Sequence, residues 1–313
     1  MNTEKIICII ACHTNSKIKI KALVNNIYYL NEISDEIIII NSNEFKDVLI
    51  EDTIKETYDS NLLDKIKFEY VENSKLLCQK KWYEYIKNLK KYNYEYFILT
   101  NDSFLITRSL LDFKNLFNKN TELVGIIDSY EIKYHYPDFL RCYNSVGIDK
   151  FIKLYDNLNN NTALNGLFDN DDNKMNINNL YNYQLIVNNY EIDSTYIYRT
   201  KNTLFKCESD FLSNIHFDDC KLEEYLYIKK YPIIKIKKLQ ITHYEDKNIP
   251  DDFDPLVYIS LHADLITYDT VTAREHFKVC GLNEGRIYKR NQEYKYLKYL
   301  KEYLNSINFV AIS

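Results

Sequence analysis

Glycine is scarce in this chain, with five in 313 residues. None falls in a Gly-x-Gly-x-x-Gly or Gly-x-x-x-x-Gly-Lys-Ser/Thr spacing, which argues against a classical dinucleotide fold and a P-loop NTPase. There is no His-Glu-x-x-His and no Gly-x-Ser-x-Gly, so the common zinc-protease and serine-hydrolase sites are not written here. The seven cysteines (8, 12, 78, 142, 207, 220 and 280) contain no Cys-x-x-Cys pair. A zinc ribbon or disulfide framework is therefore not expected, and the cysteines read as small buried hydrophobes in a reducing compartment. No stretch approaches the roughly 20 apolar residues a membrane helix requires. The apolar run Ile6–Cys12 is too short for the core of a signal peptide. A basic excess is also missing: net charge is −5, which argues against a dedicated nucleic-acid binder. These absences leave a soluble, cytoplasmic globular protein with no membrane span and no nucleic-acid partner as the expectation.

Tyrosine is over-supplied, with 30 copies. Asparagine, lysine and isoleucine are abundant too, and all four have AT-rich codons. Genome bias accounts for them, so the tyrosines carry no functional weight.

The first half alternates strand and helix signals. Ile6–Ala11 and Glu36–Ile40 are apolar runs of the kind that forms strands buried on both faces. Shorter strands are expected at Lys67–Val71, Tyr96–Leu99 and Leu123–Ile127. A helix is expected over Ile18–Leu30. Another carries Cys78, Trp82, Tyr85, Ile86 and Leu89 on one face, with Trp82 and Tyr85 as core and Asn73 or Ser74 as its cap. Strand-like pieces return at Thr195–Tyr198 and Ile233–Leu239. Residues 157–193, rich in Asn and Asp, read as a long surface excursion. A literal Asp-x-Asp lies there, within Asp169–Asp172, away from any strand end, and is discounted. Pro250–Asp254 reads as a linker. Beyond it the chain looks helical, with Thr272 and Glu275 as a capping box, Gly281 as a helix stop and a final helix at Tyr294–Leu304. The expected fold is α/β, one mixed, mainly parallel sheet flanked by helices, over residues 1–248. A small helical module follows over 249–313.

Ligands of such sheets bind beyond the carboxyl ends of the strands. His13, Asn41, Asn73, Asp102 and Asp128 each stand just after an expected strand, so their loops should share one edge. A carboxylate at such a tip can hold Mg²⁺ or Mn²⁺ against two phosphates. Asp102, flanked by Asn101 and Ser103, is the best placed. The competing reading of Asn101-Asp102-Ser103 is an Asx turn leaving a strand.

Phe97–Ser103, Val124–Ser129, Tyr134-His135-Tyr136 and Phe139–Asn144 together resemble the central block of rhamnan-synthesis-F-like glycosyltransferases. Order and spacing match over residues 95–155, with weaker similarity at the first strand, at Tyr190-Glu191 and at Tyr231–Lys235. The family's Gln-Ser after the histidine is here Pro137-Asp138. The resemblance implies a GT-A-like fold, a nucleoside diphosphate sugar (a UDP-sugar by preference) as donor, and a glycan or glycoprotein acceptor in polysaccharide biosynthesis. It makes Asp102 the counterpart of an Asp-x-Asp metal site in which Asn101 replaces one acid. Donor contacts are then expected from Ala11, His13, Asn41, Asn73, Asn101, Asp102 and Ser103. A late histidine would complete a Mn²⁺ or Mg²⁺ site, with His243 preferred over His216. An inverting transfer needs a base for the acceptor hydroxyl. Asp128, His135 and Asp138 are the candidates, and Asp128 is favoured.

The tail segments Phe253–Tyr258, Asp264-Leu265 and Glu275–Arg286 resemble a helical module appended to bacterial and viral sugar-modifying enzymes, with His276 in a packing role. Two other readings stand beside the enzyme. One is a GT-A-like domain that binds or scaffolds without turnover. The other, a nucleotidyltransferase, lacks its usual Gly-rich basic loop.

Overall fold

The computed structural model describes residues 5–13, 17–42, 50–71, 78–129, 134–159, 195–206, 229–236, 249–250, 252–281 and 288. The chain divides into two compact units, Met1–Asn214 with Val310–Ser313, and Ile215–Phe309.

The first unit is built on strands β1 (Ile6–Cys12), β2 (Glu36–Asn41), β3 (Ile66–Tyr70), β4 (Tyr96–Asn101), β5 (Phe104–Ile106), β6 (Leu123–Ile127), β7 (Leu140–Asn144) and β8 (Lys201–Phe205). Helices α1 (Lys17–Asn31), α2 (Ile50–Thr57), α3 (Ser60–Leu63), α4 (Cys78–Asn88), α5 (Leu111–Lys114) and α6 (Ser145–Asn159) connect or flank them. Seven strands form one sheet in the order β3-β2-β1-β4-β7-β6-β8. All neighbouring pairs are parallel except those of β7, which runs antiparallel to both β4 and β6. The sheet is thus the mixed, mainly parallel one expected.

Its centre explains itself from the sequence. Every residue of β1 and β4 is buried, and Ile37–Ile40 of β2 are at most 2% exposed. Each buried Ile is worth about 1.5–3 kcal/mol relative to exposure, an upper estimate for a chain already partly collapsed when unfolded. Strands covered on both faces need no polar alternation. On one face Trp82, Tyr83 and Ile86 of α4 pack with Phe151, Leu154 and Tyr155 of α6 over Ile7, Ile9, Phe97 and Leu99. Gly147 opens α6 against the start of β6, where a Cβ would lie 2.0 Å from the Glu122 carbonyl oxygen.

Buried amides fix the segment after β4. Asn25 and Asn26 of α1 donate to the carbonyls of Ile106 and Phe104, each at 2.8 Å, and Asn26 Oδ1 accepts the Ile106 N–H at 2.7 Å. These side chains satisfy β5 backbone groups that burial would otherwise leave costly. They also tie the helix that leaves β1 to the strand that follows Asp102.

Some boundaries differ from expectation. Thr195–Ile197 is a 3-10 turn, and the strand begins only at Lys201. Much of the Asn-rich excursion, including Asp169–Asp172, lies outside the described residues, as do Asn73, Ser74, His216, His243 and the helix expected at Tyr294–Leu304.

The second unit contains β9 (Ile233–Lys235), α7 (Pro255–Leu261) and α8 (Thr270–His276), followed by a π-helical turn at Phe277–Gly281. Phe253, Tyr258, Leu265, Ala273 and Phe277 form its core. Asp254 caps α7 by accepting the Leu256 N–H at 2.8 Å, with Pro255 at the first helical position. In α8 the cap is Asp269, which accepts the Thr272 N–H at 2.7 Å, so the helix starts before the capping box read from Thr272. His276 Nδ1 lies 3.1 Å from the Tyr258 hydroxyl, a packing contact within the helical module. Among the described residues no helix is long and apolar enough to cross a membrane.

Candidate active site

Parallel pairing puts the carboxyl ends of β1, β2, β4 and β6 on one edge. Ala11 pairs with both Ile40 and Asn101, and Cys12 pairs with Asn41. Because β7 is antiparallel, it starts on that edge, with Leu140 opposite Thr100. His13, Asn41, Asp102, Asp128 and Asp138 therefore share the edge that the strand ends suggested.

His13 and Asp102 meet directly. The carboxylate Oδ2 of Asp102 accepts the His13 N–H at 2.9 Å and lies 3.7 Å from Lys19 Nζ. Lys19 donates to the His13 carbonyl at 3.0 Å. The His13 ring closes back on the next strand end, with Nδ1 3.2 Å from the Ser42 carbonyl oxygen. Asp102 is only 5% exposed, and a backbone N–H and an ammonium compensate its charge. Asn101 is held in the turn: its Oδ1 accepts the Ser103 N–H at 3.0 Å and the Ser103 hydroxyl at 2.6 Å. The Asx-turn reading of this tripeptide describes Asn101 well, and Asp102 does something further.

Lys81 is a residue the sequence pattern did not single out. It lies in α4, is 3% exposed, and donates to the Cys12 carbonyl at 2.6 Å and to Ser42 Oγ. Burial lowers its pKa from the usual lysine value, and the nearby Lys19 charge pushes the same way against Cys78, Cys12 and Asp102. A lysine three residues after Cys78 shares the buried helix face, and that placement was the available signal. Lys81 also borders a cavity of about 380 Å³ lined by Ile40, Glu69, Val71 and Tyr85. A larger cavity, about 770 Å³, lies at the other end of β4 beside Tyr94, Glu95 and Asn144, away from the strand tips.

Two thiols lie in the field of the same acids. Burial, then Asp138 and Asp102, pushes Cys78 up to about 12. Cys12 is raised well above its ordinary value by burial and then Asp102. Both stay protonated near neutrality, so neither is an activated nucleophile.

The three base candidates stand on the β6–β7 side. Asp128 is 5% exposed and accepts from the Tyr134 hydroxyl at 3.3 Å. His135 and Ser129 exchange backbone hydrogen bonds of 2.8 and 2.9 Å, closing the loop between β6 and β7. Asp138 accepts from Gln79 Nε2 of α4 at 2.5 Å, which ties it to the Lys81 helix. Buried Arg141 fixes this loop from below, donating to the carbonyls of Pro137, at 3.0 Å, and Tyr136. Trp82 Nε1 donates to the Thr100 carbonyl at 3.1 Å, and Thr100 Oγ1 to the Phe139 carbonyl at 2.8 Å, so β4 and the start of β7 enter the site as one piece.

Among the described residues the donor set fits a divalent cation poorly; His243, the other ligand expected, lies outside them. Among the described residues no group of three or more His, Cys, Asp or Glu side chains converges. The one carboxylate at the β4 tip is bonded to an N–H and faced by an ammonium, and Asn101 Oδ1 is committed to the turn. Mg²⁺ and Mn²⁺ ask for several oxygen ligands of net negative charge.

No protein-family model matches the chain, and no curated protein matches it. Solved structures do resemble it in fold. A galactosyltransferase, LgtC, in complex with donor and acceptor sugar analogues is 9% identical, with a TM-score of 0.44 over 93% of this chain and 99% of that one. The glycosyltransferase GlyE of Streptococcus pneumoniae TIGR4 is 11% identical, with a TM-score of 0.40 over 93% of this chain and 66% of that one. A 4-diphosphocytidyl-2C-methyl-D-erythritol synthase from Anaerococcus prevotii is 14% identical, with a TM-score of 0.38 over 72% of this chain and 96% of that one. At these scores the likeness carries no functional argument; the side chains must carry it.

Proposed function

We propose that the chain is a glycosyltransferase that moves a sugar from a nucleoside diphosphate sugar, a UDP-sugar by preference, to a glycan or protein acceptor, in the manner of the rhamnan-synthesis-F-like enzymes its central block resembles. The observation that supports this most is the meeting of Asp102, the His13 N–H and Lys19 at the tip of a central parallel strand, where open α/β sheets bind their ligands. The donor lies along the ends of β1, β2 and β4, past Ala11, His13, Asn41 and Ser103. Asp102 acts as a positioning residue: it holds Lys19 and the His13 backbone where a diphosphate passes. On the β6–β7 side Asp128 takes the proton of the attacking hydroxyl, with Asp138 and His135 orienting the acceptor. The sugar–phosphate C–O bond breaks as the acceptor C–O bond forms, and the electron pair leaves on the diphosphate.

A second reading has its own support. Among the described residues the only carboxylate at the β4 tip is internally paired, as suits a module that binds a nucleotide sugar without turning it over. Incubation with UDP-, GDP- and dTDP-sugars, following release of the nucleoside diphosphate, separates the two. Release that disappears in Asp128→Asn supports the enzyme. Binding without release supports the module, and neither binding nor release rejects both.

A further inference from the structure

We propose that Lys81 and Lys19, in place of a divalent metal ion, neutralise the diphosphate of the sugar nucleotide. This rests on the donor reading above and deepens it.

The two ammonium groups reach the end of β1 from different helices. Lys81 donates to the carbonyl of Cys12 and Lys19 to that of His13, consecutive residues. An ammonium has three donors. Lys81 spends two, on Cys12 and Ser42, and no carboxylate of the described residues forms an ion pair with it. A cation that is 3% exposed is costly without a counter-charge. A core position that needed only apolar volume would hold Met or Leu, so the retained charge calls for an anion.

Charge counting gives the same direction. Among the described residues two ammonium groups face one carboxylate, Asp102, at this end of β1. The next acid, Asp138, is bonded to Gln79. A divalent cation would stand beside two like charges with one acid to hold it, whereas a diphosphate completes the set. Asp102 keeps Lys19 oriented without cancelling Lys81. During transfer the sugar C1–O bond breaks, its electron pair stays on the terminal phosphate oxygen, and the two ammonium groups meet the charge that appears there. This is electrostatic stabilisation aimed at the leaving group.

Calorimetry on the full chain tests this with UDP and uridine, each in EDTA and again with Mn²⁺. The expected result is UDP binding of equal affinity in both buffers. Lys19→Gln should weaken UDP about tenfold, or ~1.4 kcal/mol, and Lys81→Met at least as much, with uridine unaffected by either. Circular dichroism checks that Lys81→Met is folded; if it is not, Lys19→Gln and the chelator comparison decide. UDP binding that requires Mn²⁺ overturns the proposal, as does wild-type UDP affinity in Lys19→Gln. Absence of binding by UDP and uridine under every condition, with GDP and dTDP also unbound, rejects the glycosyltransferase reading itself, and this proposal with it.

Discussion

The two edges of the same sheet treat charge in opposite ways. At the amino edge, cations meet acids at the surface. Lys5 and Lys67 pair with Glu36 at 3.4 and 2.5 Å, and Lys91 pairs with Asp149 at 2.6 Å. Burial pushes the Glu36 carboxyl up, but Lys67, Tyr94 and Lys5 outweigh it and hold the group below the ordinary carboxylate value. At the carboxyl edge Lys81 is buried beside a carbonyl and a hydroxyl, and Asp102 is shared between a backbone N–H and Lys19. Surface pairs are complete in themselves and contribute about 0–1 kcal/mol each. On the proposed reading the carboxyl edge is completed by the diphosphate that binds there. Similar residue types thus form a solvated rim at one end and a receptive site at the other.

That contrast can be broken by substitution, and the largest effect is expected at Asp102. Asp102→Asn keeps an acceptor for the His13 N–H but releases Lys19. Sugar-nucleotide turnover should fall about 10²-fold or more, as misplacement of a positioning group does, while the melting temperature stays near wild type. Asp102→Ala also loses the acceptor and should cost about 1–3 kcal/mol in denaturant unfolding. Equal stability for the Asn and Ala variants would contradict the bond to His13.

Arg141→Met comes next. It leaves the Tyr136 and Pro137 carbonyls without their guanidinium donor, at about 1–3 kcal/mol for each buried group left unpaired, and loosens the loop that carries Asp138. Turnover should fall with stability. An unchanged melting temperature would show that the loop is held otherwise.

The pH dependence of UDP affinity sharpens the comparison further. Burial lowers the pKa of Lys81, and the anion affinity belongs to its ammonium form. That affinity is lost as pH rises through the lowered value, below the ordinary lysine value of about 10.4. In the same interval the unfolded chain binds more protons than the folded one, so the stability of the ligand-free protein rises with pH there. Cys12, Cys78, Asp102 and Lys19 surround the group, and burial raises both thiols. Calorimetry from neutral to alkaline pH should show affinity falling in wild type and flat in Lys81→Met. The smallest effect belongs to the amino edge. Lys91→Met should lose about 0.2–1 kcal/mol at most and leave UDP binding untouched.

Much of the fold was legible because its signals are local. The apolar runs of β1 and β2 and the Trp82 face of α4 carry their burial in their own spacing, and the strand ends then pointed to one edge. The direction of β7 was not legible, because Leu140–Asn144 is buried throughout and reads the same whichever way it pairs. Thr195–Ile197 looked like a strand because its residues are β-branched and aromatic, yet only Thr195 of the three is buried. At the site, sequence position brought out His13, Asp102 and Asp138. It missed Lys19, Gln79 and Lys81, because a long polar side chain on a helix ordinarily marks the solvated face. Its place three residues after Cys78 was the one local signal; the tertiary arrangement turns Lys81 inward, under the ends of β1 and β2.

A structure of the full chain with UDP bound in the absence of divalent metal tests the central claim most directly. The account predicts phosphate oxygens within about 3 Å of Lys81 Nζ and Lys19 Nζ, beyond the carboxyl ends of β1 and β4. Phosphates bound instead in the cavity beside Lys90, Lys91 and Lys119 at the amino edge would contradict it.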